Sequence, residues 1–386
     1  MVTRQILHAN RAARLLMGIL HARRAYTGPL FVDLDLTQRC NLNCIACPYH
    51  SRVEPLKTVN PTVRDMPLDL VQRLAQELSS LGRPEIILAG TGEPLLHPRF
   101  GDILGVLKEK KLRIHIITNG TLLDRDRALA LVHSGVDRIT VSLWASSPEE
   151  YAQCHSAAHP ENFSKVIANL KQLSQLKMML GKQLPAVYFN HVCSRDTYDS
   201  IDVKIDLARE TGCAGILFNL FYPFDTDTAD TMLIDEQRTY LARYFPAARR
   251  RMEQLGLRHN ITTQGILGRL SDGQNPWQRC PCYIGWYQTW IRCDGGVMPC
   301  CRCNLLVGDL NRASFTEIWN SPPYQDFRIR SRTPDAMRSL PGTCRCDWCC
   351  FMPQNLRIHR IVKWFSPLQR RTPRDHAADS VLPRPG

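Results

Sequence analysis

Thiols carry most of the chemistry that this sequence could do. Sixteen of its 386 residues are cysteine. Three lie in Cys40–Cys47, ten lie between Cys280 and Cys350, and only Cys154, Cys193 and Cys213 stand alone. Disulfides of a secreted domain would be spread differently, and the opening segment is too punctuated by arginine for a secretory signal. Clustered cysteines in a reducing compartment point to metal, and the chain reads as cytoplasmic. The first cluster is Thr37-Gln38-Arg39-Cys40-Asn41-Leu42-Asn43-Cys44-Ile45-Ala46-Cys47-Pro48. Cys-x3-Cys-x2-Cys in a loop brings three thiolates onto one small volume. Three suit a cubane iron–sulfur cluster with one iron left open, whereas a structural zinc site usually takes four protein ligands. A zinc loop with a distant fourth ligand is the competing reading.

The second group is looser. Cys282-Tyr-Ile-Gly-Trp286 is followed by Trp290, Cys293-Asp-Gly-Gly-Val-Met-Pro-Cys300-Cys301, Phe315-Thr-Glu-Ile-Trp319 and Cys344-Arg-Cys346-Asp-Trp-Cys349-Cys350. Asp294-Gly295 is a strong hairpin signal. The spacing predicts a hairpin that holds Cys282 near Cys300, with Cys346 and Cys349 completing four ligands. Cys280, Cys301, Cys303, Cys344 and Cys350 compete for the same role, and a zinc ribbon is the alternative. A region this small and irregular cannot rest on apolar packing alone, so a bound metal would supply what its core lacks.

These loops need a frame. Short apolar strands are predicted at Phe31–Leu36, Glu85–Ala89, Arg113–Thr118, Arg138–Leu143, Ala186–Cys193 and Gly215–Leu220. Helical stretches lie between them, and such alternation favours a parallel sheet, because each parallel neighbour needs a crossover. Six units predict an α/β fold, either an incomplete barrel or an open doubly wound sheet. In both, ligands gather at the carboxyl ends of the strands, where Cys40–Cys47 falls. Residues 1–30 read as a basic amphipathic helix and its exit, 31–230 as the barrel, and 231–275 as linking helices. Residues 276–352 read as the cysteine-rich domain, and 353–386 as a basic, disordered tail.

The sequence here resembles the radical S-adenosylmethionine (radical SAM) superfamily, over roughly residues 31–220. The resemblance implies a partial (β/α)6 TIM-like barrel in which Cys40, Cys44 and Cys47 ligate a 4Fe–4S cluster and S-adenosylmethionine occupies the open iron. Leu88-Ala89-Gly90-Thr91-Gly92-Glu93-Pro94 is similar to the family's Gly-Gly-Glu-Pro segment, with Thr91 in place of the first glycine of that pair. The likeness implies cofactor contacts from Gly90, Thr91, Gly92 and Glu93, from Asn119 in Thr118-Asn119-Gly120, and from Ser142; Asn190 is a weaker candidate. Ala46 stands where a bulky residue often touches the adenine, which leaves Tyr49 as a substitute. The second cysteine group resembles the SPASM or twitch auxiliary-cluster domain, and one further 4Fe–4S cluster is expected.

By the same resemblance, the cluster splits the cofactor to methionine and a 5′-deoxyadenosyl radical, which abstracts a substrate hydrogen. The expected chemistry is oxidation or epimerisation of a small polar metabolite of sugar or cyclitol type. Maturation of a ribosomally made peptide is the alternative. Cys193, Cys213, Cys293 and Cys303 are available to return a hydrogen atom in an epimerisation. A low-potential donor such as flavodoxin or ferredoxin is the expected electron source.

Lys and Arg outnumber Asp and Glu by 49 to 36, a net charge of +13. Much of the excess sits in the first 24 residues and after Arg357, as solvated termini would show. No nucleic-acid-binding pattern accompanies it, so no specific nucleic acid is expected, and a zinc-stabilised nucleic-acid binder is a remote alternative. No stretch approaches the roughly 20 apolar residues of a membrane span. The helix over 5–24 could touch a membrane surface, but packing against the main domain is the favoured reading.

Overall fold

A computed structural model describes residues 2–51, 62–155, 159–223, 228–263, 265–271, 280–333, 349 and 351–369. The six expected strands form as β1 (Phe31–Leu34), β2 (Glu85–Leu88), β3 (Arg113–Thr118), β4 (Arg138–Ser142), β5 (Ala186–Cys193) and β6 (Gly215–Leu220). Each pairs in parallel with the next. The crossovers carry the helices α2 (Leu68–Ser80), α3 (Phe100–Glu109), α4 (Arg125–His133), α5 (Pro148–Cys154), α6 (Asn162–Met179) and α7 (Ile201–Glu210). The architecture is an α/β fold on a mostly parallel sheet, a partial barrel with a cysteine-rich C-terminal region.

Strand alternation sorts the side chains. Val32, Leu34, Ile86, Leu88, Ile114, Ile116, Ile139 and Val141 are fully buried and belong to the main core. Phe189 shows which side this is, since Lys204 of α7 lies over its ring, 5.2 Å from the centroid. The other parity, which faces the barrel interior, mixes Asp33, His115, Thr140 and Asn190 with Ile87, Ile117 and Leu217. There Gln288 Nε2 donates to Asp33 at 2.5 Å, His115 Nε2 pairs with Thr140 at 2.8 Å, and Asn219 Nδ2 donates to Asn190 at 2.6 Å.

The sheet extends beyond six strands at both ends. After α8 (Asp235–Gln254), the short β7 (Arg258–His259) pairs with β6, inside the stretch expected to hold only linking helices. α9 (Ile266–Ser271) follows. The cysteine-rich region then contributes α10 (Ile284–Tyr287) and β8 (Gln288–Ile291), which pairs in parallel with β1 and sets Trp290 opposite Asp33. The expected hairpin forms from β8 and β9 (Gly296–Met298), with Gly295 at φ +88° in the turn, and β10 (Gly308–Asp309) completes the sheet. The order β10-β9-β8-β1-β2-β3-β4-β5-β6-β7 leaves two edges, so the barrel is open. The cysteine-rich region is therefore built onto the barrel sheet rather than appended to it.

α11 (Phe315–Trp319) and α12 (Pro322–Arg330) tie this region down through Arg328, which is fully buried. Its guanidinium donates to the carbonyls of Gly285 and Trp319, both at 2.7 Å, and lies over the rings of Trp319 and Tyr324. The N-terminal helix, α1 (Val2–His21), contacts α10 and a C-terminal helix, Met352–Gln369. Ile19 is buried and Leu15, Leu16 and Leu20 pack on the core, so this face of α1 meets protein. The side chains of Ile6 and Ala9 lie outside the described residues.

The helix Met352–Gln369 corrects the expectation of a disordered tail from residue 353. Asn355 is buried and accepts from Tyr283 N at 2.8 Å, Tyr283 Oη meets His359 Nδ1 at 2.8 Å, and Val362 is buried. Basic residues between these anchors mask the periodicity in the sequence. Residues 370–386 lie outside the described residues.

Basic side chains gather at the amino ends of the strands. Arg11, Arg14, Arg24, Arg83, Lys111 and Arg113 line a cleft of about 1320 Å³ there, with Leu30 and Phe31 at the start of β1. Among the described residues no helix is long and apolar enough to cross a membrane.

Candidate active site at the carboxyl ends of the strands

The loop after β1 carries Cys40, Cys44 and Cys47, and it is pinned from two sides. Gln38 N donates to Arg64 O at 2.8 Å, and Thr37 Oγ1 and Arg39 Nε donate to the Asp65 carboxylate at 2.6 and 3.1 Å. On the other side lies the loop after β2, whose Glu93 N donates to Arg39 O at 2.7 Å. A Cβ on Gly92 would sit 2.3 Å from Arg39 O and 2.5 Å from Thr37 O, so only glycine lets the two loops meet. The first demand on Gly92 is thus approach to the cysteine loop itself.

Thr91 is buried beside Asp35. Its N and Oγ1 donate to the two Asp35 carboxylate oxygens at 3.0 and 2.8 Å. Burial pushes the Asp35 carboxyl up to about 7, against the pull of those hydrogen bonds. Glu93 is held likewise. Its carboxylate accepts from Thr118 Oγ1 at 2.7 Å, Asn119 N at 2.8 Å and Leu95 N at 3.2 Å, while burial raises its carboxyl to about 7. It is a staple between the loops after β2 and β3. The Asn119 side chain donates to Asn41 Oδ1 at 2.9 Å, which fastens the third loop to the cysteine loop. Ser142 ends β4 opposite Asn190.

The three thiols suit a metal cluster in their surroundings. Burial raises all three, Cys40 to about 11, and Cys44 also lies within electrostatic reach of Cys40 and Cys47. Backbone N–H groups of Leu42 and Asn41 oppose this at Cys40, and those of Tyr49 and His50 at Cys47. Such a nest of amides favours negative charge on sulfur, and a cationic centre would complete it. Among the described residues no three His, Cys, Asp or Glu side chains converge on one ion. Cubane ligands bind different irons and need not converge as the ligands of a single ion do.

Two candidates need relocation. Cys193 shares its strand face with Phe189 and is fully buried in the core, and Cys213 is buried beneath Thr211, whose hydroxyl lies 3.3 Å from its sulfur. Neither thiol faces the barrel interior. Cys303 is disulfide-bonded. Cys293 does reach the site: it follows β8, accepts from Gln38 Nε2 at 3.3 Å, and is fully buried. Tyr49 stands within electrostatic reach of Asp35, Cys47, Arg292 and Cys301, between the cysteine loop and the hairpin. Cys282, Cys300 and Cys349 are buried; Cys344, Cys346 and Cys350 lie outside the described residues.

Comparison with known proteins decides the family. Residues 34–184 match the model of the radical SAM superfamily, and residues 280–350 match that of an iron–sulfur cluster-binding domain, SPASM. The chain belongs to the radical SAM superfamily. It is a radical SAM enzyme with a SPASM-type C-terminal domain, and its cofactors are S-adenosylmethionine, a 4Fe–4S cluster and auxiliary iron–sulfur. An AdoMet-dependent heme synthase of Methanosarcina barkeri is 24% identical over 83% of this radical SAM chain and 90% of its own. A PqqA peptide cyclase of Gluconobacter oxydans is 24% identical over 83% and 86%. Streptococcus suis SuiB, solved bound to S-adenosylmethionine, shares the fold at a TM-score of 0.60 and 16% identity, covering 79% of this chain and 68% of its own. The two curated relatives are named for heme synthesis and peptide cyclisation, not for sugar or cyclitol chemistry.

Sequence reasoning missed Asp35 and His155. Asp33 in β1 and Asp35 directly after it alternate with apolar residues, a period-two signal that marks them as facing the interior. His155 Nδ1 lies 3.5 Å from Cys44 Sγ, yet 111 residues separate the two, and no local pattern connects them.

Proposed function

We propose that Cys40, Cys44 and Cys47 hold the 4Fe–4S cluster that binds S-adenosylmethionine, that Cys282, Cys300, Cys346 and Cys349 hold an auxiliary cluster, and that the enzyme oxidatively modifies a ribosomally made peptide. The observation that carries the cluster reading is the contact of the two loops, Glu93 N to Arg39 O, which sets the Gly90–Glu93 segment against the cysteines. When bound, cluster and cofactor supply a hydrogen-abstracting radical. The chain's own residues position and shield. Asp35 and Thr91 fix the second loop, Glu93 and Asn119 lock the third, and Ser142 at the end of β4, with Asn190 opposite it within β5, is placed to meet the cofactor or substrate.

The peptide reading replaces the small-metabolite expectation because a peptide cyclase is similar along most of the chain. An epimerisation would depend on Cys293 alone of the four candidate hydrogen donors, because Cys193 and Cys213 face away from the interior and Cys303 is bonded; oxidation needs none of them. The similarity to a heme synthase supports a second reading, a tetrapyrrole substrate.

Anaerobic reconstitution with iron and sulfide, followed by electron paramagnetic resonance, tests the cluster. Wild type should show a reduced-cluster signal that changes when S-adenosylmethionine is added, and a Cys40/Cys44/Cys47→Ala variant should keep only a cofactor-insensitive one. Bound zinc without iron would overturn the reading. Parallel incubation with a candidate precursor peptide and with an iron porphyrin, followed by mass spectrometry, separates the two substrates.

A further inference from the structure

His155 follows α5 and is almost wholly buried. Its Nε2 lies 2.9 Å from the backbone N of Trp144, and a backbone N–H can only donate. Nε2 therefore carries no proton, and the ring's one proton sits on Nδ1. That atom is 3.5 Å from Cys44 Sγ, within reach for a hydrogen bond to sulfur. The sulfur must be the acceptor, because Nδ1 has no lone pair to offer.

The surroundings hold the ring in this orientation. Tyr151 packs on it at 4.7 Å between ring centroids, and Trp144 at 5.4 Å. Ile45 N donates to Cys154 O at 3.2 Å, so the cysteine loop and the end of α5 are joined one residue to either side of the Cys44–His155 contact. Cys40 and Cys47 face backbone amides. Cys44 is the cluster cysteine with a side-chain N–H directed at its sulfur.

We propose that His155 is a positioning residue which, through Nδ1–H donated to the Cys44 sulfur, sets the reduction potential of the S-adenosylmethionine-binding cluster. The inference rests on the proposed assignment of Cys44 as a ligand. One electron enters from an external low-potential donor, no proton moves, and the added charge spreads onto the cysteine sulfurs. A donor aimed at one of those sulfurs stabilises the reduced state more than the oxidised one and so raises the potential.

The test is a potentiometric titration of the reconstituted full chain, read by electron paramagnetic resonance, for wild type, His155→Phe and His155→Gln. The Phe variant should need a more reducing poise, about a tenfold change in the reduced-to-oxidised ratio, or 59 mV for a one-electron couple. Gln, which can still donate, should recover part of the shift. In wild type grown with ring-15N-labelled histidine, electron–nuclear double resonance should find an imidazole 15N–H coupled to the reduced cluster, absent from the Phe variant and distinct from the backbone amides at Cys40 and Cys47. A Phe variant with full cluster content and the wild-type potential overturns the proposal. Should that variant fail to hold iron, the wild-type spectrum decides, and absence of the histidine 15N–H coupling overturns the proposal. Loss of the cofactor-sensitive signal in wild type would instead sink the cluster assignment, a separate result.

Discussion

Thr91 Oγ1 donates a hydrogen bond to Asp35 Oδ2 at 2.8 Å, and Thr91 N donates to Oδ1 of the same carboxylate at 3.0 Å. Thr91 is the residue that departs from the glycine pair usual at this place. Its hydroxyl has a buried acid to satisfy, so the departure is matched by a partner directly after β1. Thr91→Val keeps the shape and removes one donor from a buried acid. It should lower stability by about 1–3 kcal/mol, measured by urea unfolding. Wild-type stability in that variant would mean the hydroxyl bond has no net value.

Gly92→Ala should disturb iron loading more than any stability measure alone predicts. The new Cβ would meet Arg39 O at 2.3 Å, one residue before Cys40, and the cysteine loop must move. Gly105, in the middle of α3, has nothing within 4 Å of the same position and serves as control. Gly105→Ala should be neutral or stabilising by up to about 1 kcal/mol, since alanine favours a helix interior. Iron content per chain after reconstitution checks both.

Removing the Glu93 carboxylate leaves two buried donors, on Thr118 and Leu95, and a partly buried one, on Asn119, without their acceptor. Glu93→Ala should cost about 3 kcal/mol, and Glu93→Gln, which keeps one acceptor oxygen, about 1 kcal/mol. Equal losses in the two would show that the carboxylate does not act through these bonds.

Asp33 gives a pH dependence of defined sign. Burial pushes its carboxyl from 3.8 up to about 7. Between those values the folded chain holds a proton that the unfolded chain has released, so stability falls as pH rises from about 4 to 7 and then levels. Asp33→Asn should flatten that part of the profile, measured by denaturant midpoints at a series of pH values. An unchanged slope would assign it to other groups.

Arg328→Met should loosen the join between barrel and cysteine-rich region. It abolishes bonds to the Gly285 and Trp319 carbonyls and leaves those acceptors buried. A loss of about 3 kcal/mol is expected. Cooperative unfolding at the wild-type midpoint would contradict the anchoring role.

Local pattern carries much of this protein. The spacing of Cys40, Cys44 and Cys47 needs no tertiary information to mark them as candidate ligands, because it is a pattern of neighbours in sequence. The six strands were readable from alternating apolar runs broken by helical ones, since strand and helix periodicities depend on neighbours in sequence. Gly295 in the hairpin turn was readable for the same reason.

Contacts distant in sequence were not legible. β8 joins β1 across more than half the chain, which turned an apparently appended domain into part of the barrel sheet. β7 was too short to leave a pattern, and Asn355, His359 and Val362 ordered a helix where basic residues suggested a tail. The Asp35–Thr91 pair and the turn of His155 toward Cys44 exist only because separate loops are brought to one end of the sheet. Sequence by itself determined which groups could hold a cluster. Tertiary structure decided which groups surround them, because burial and hydrogen bonding depend on distance in space rather than along the chain.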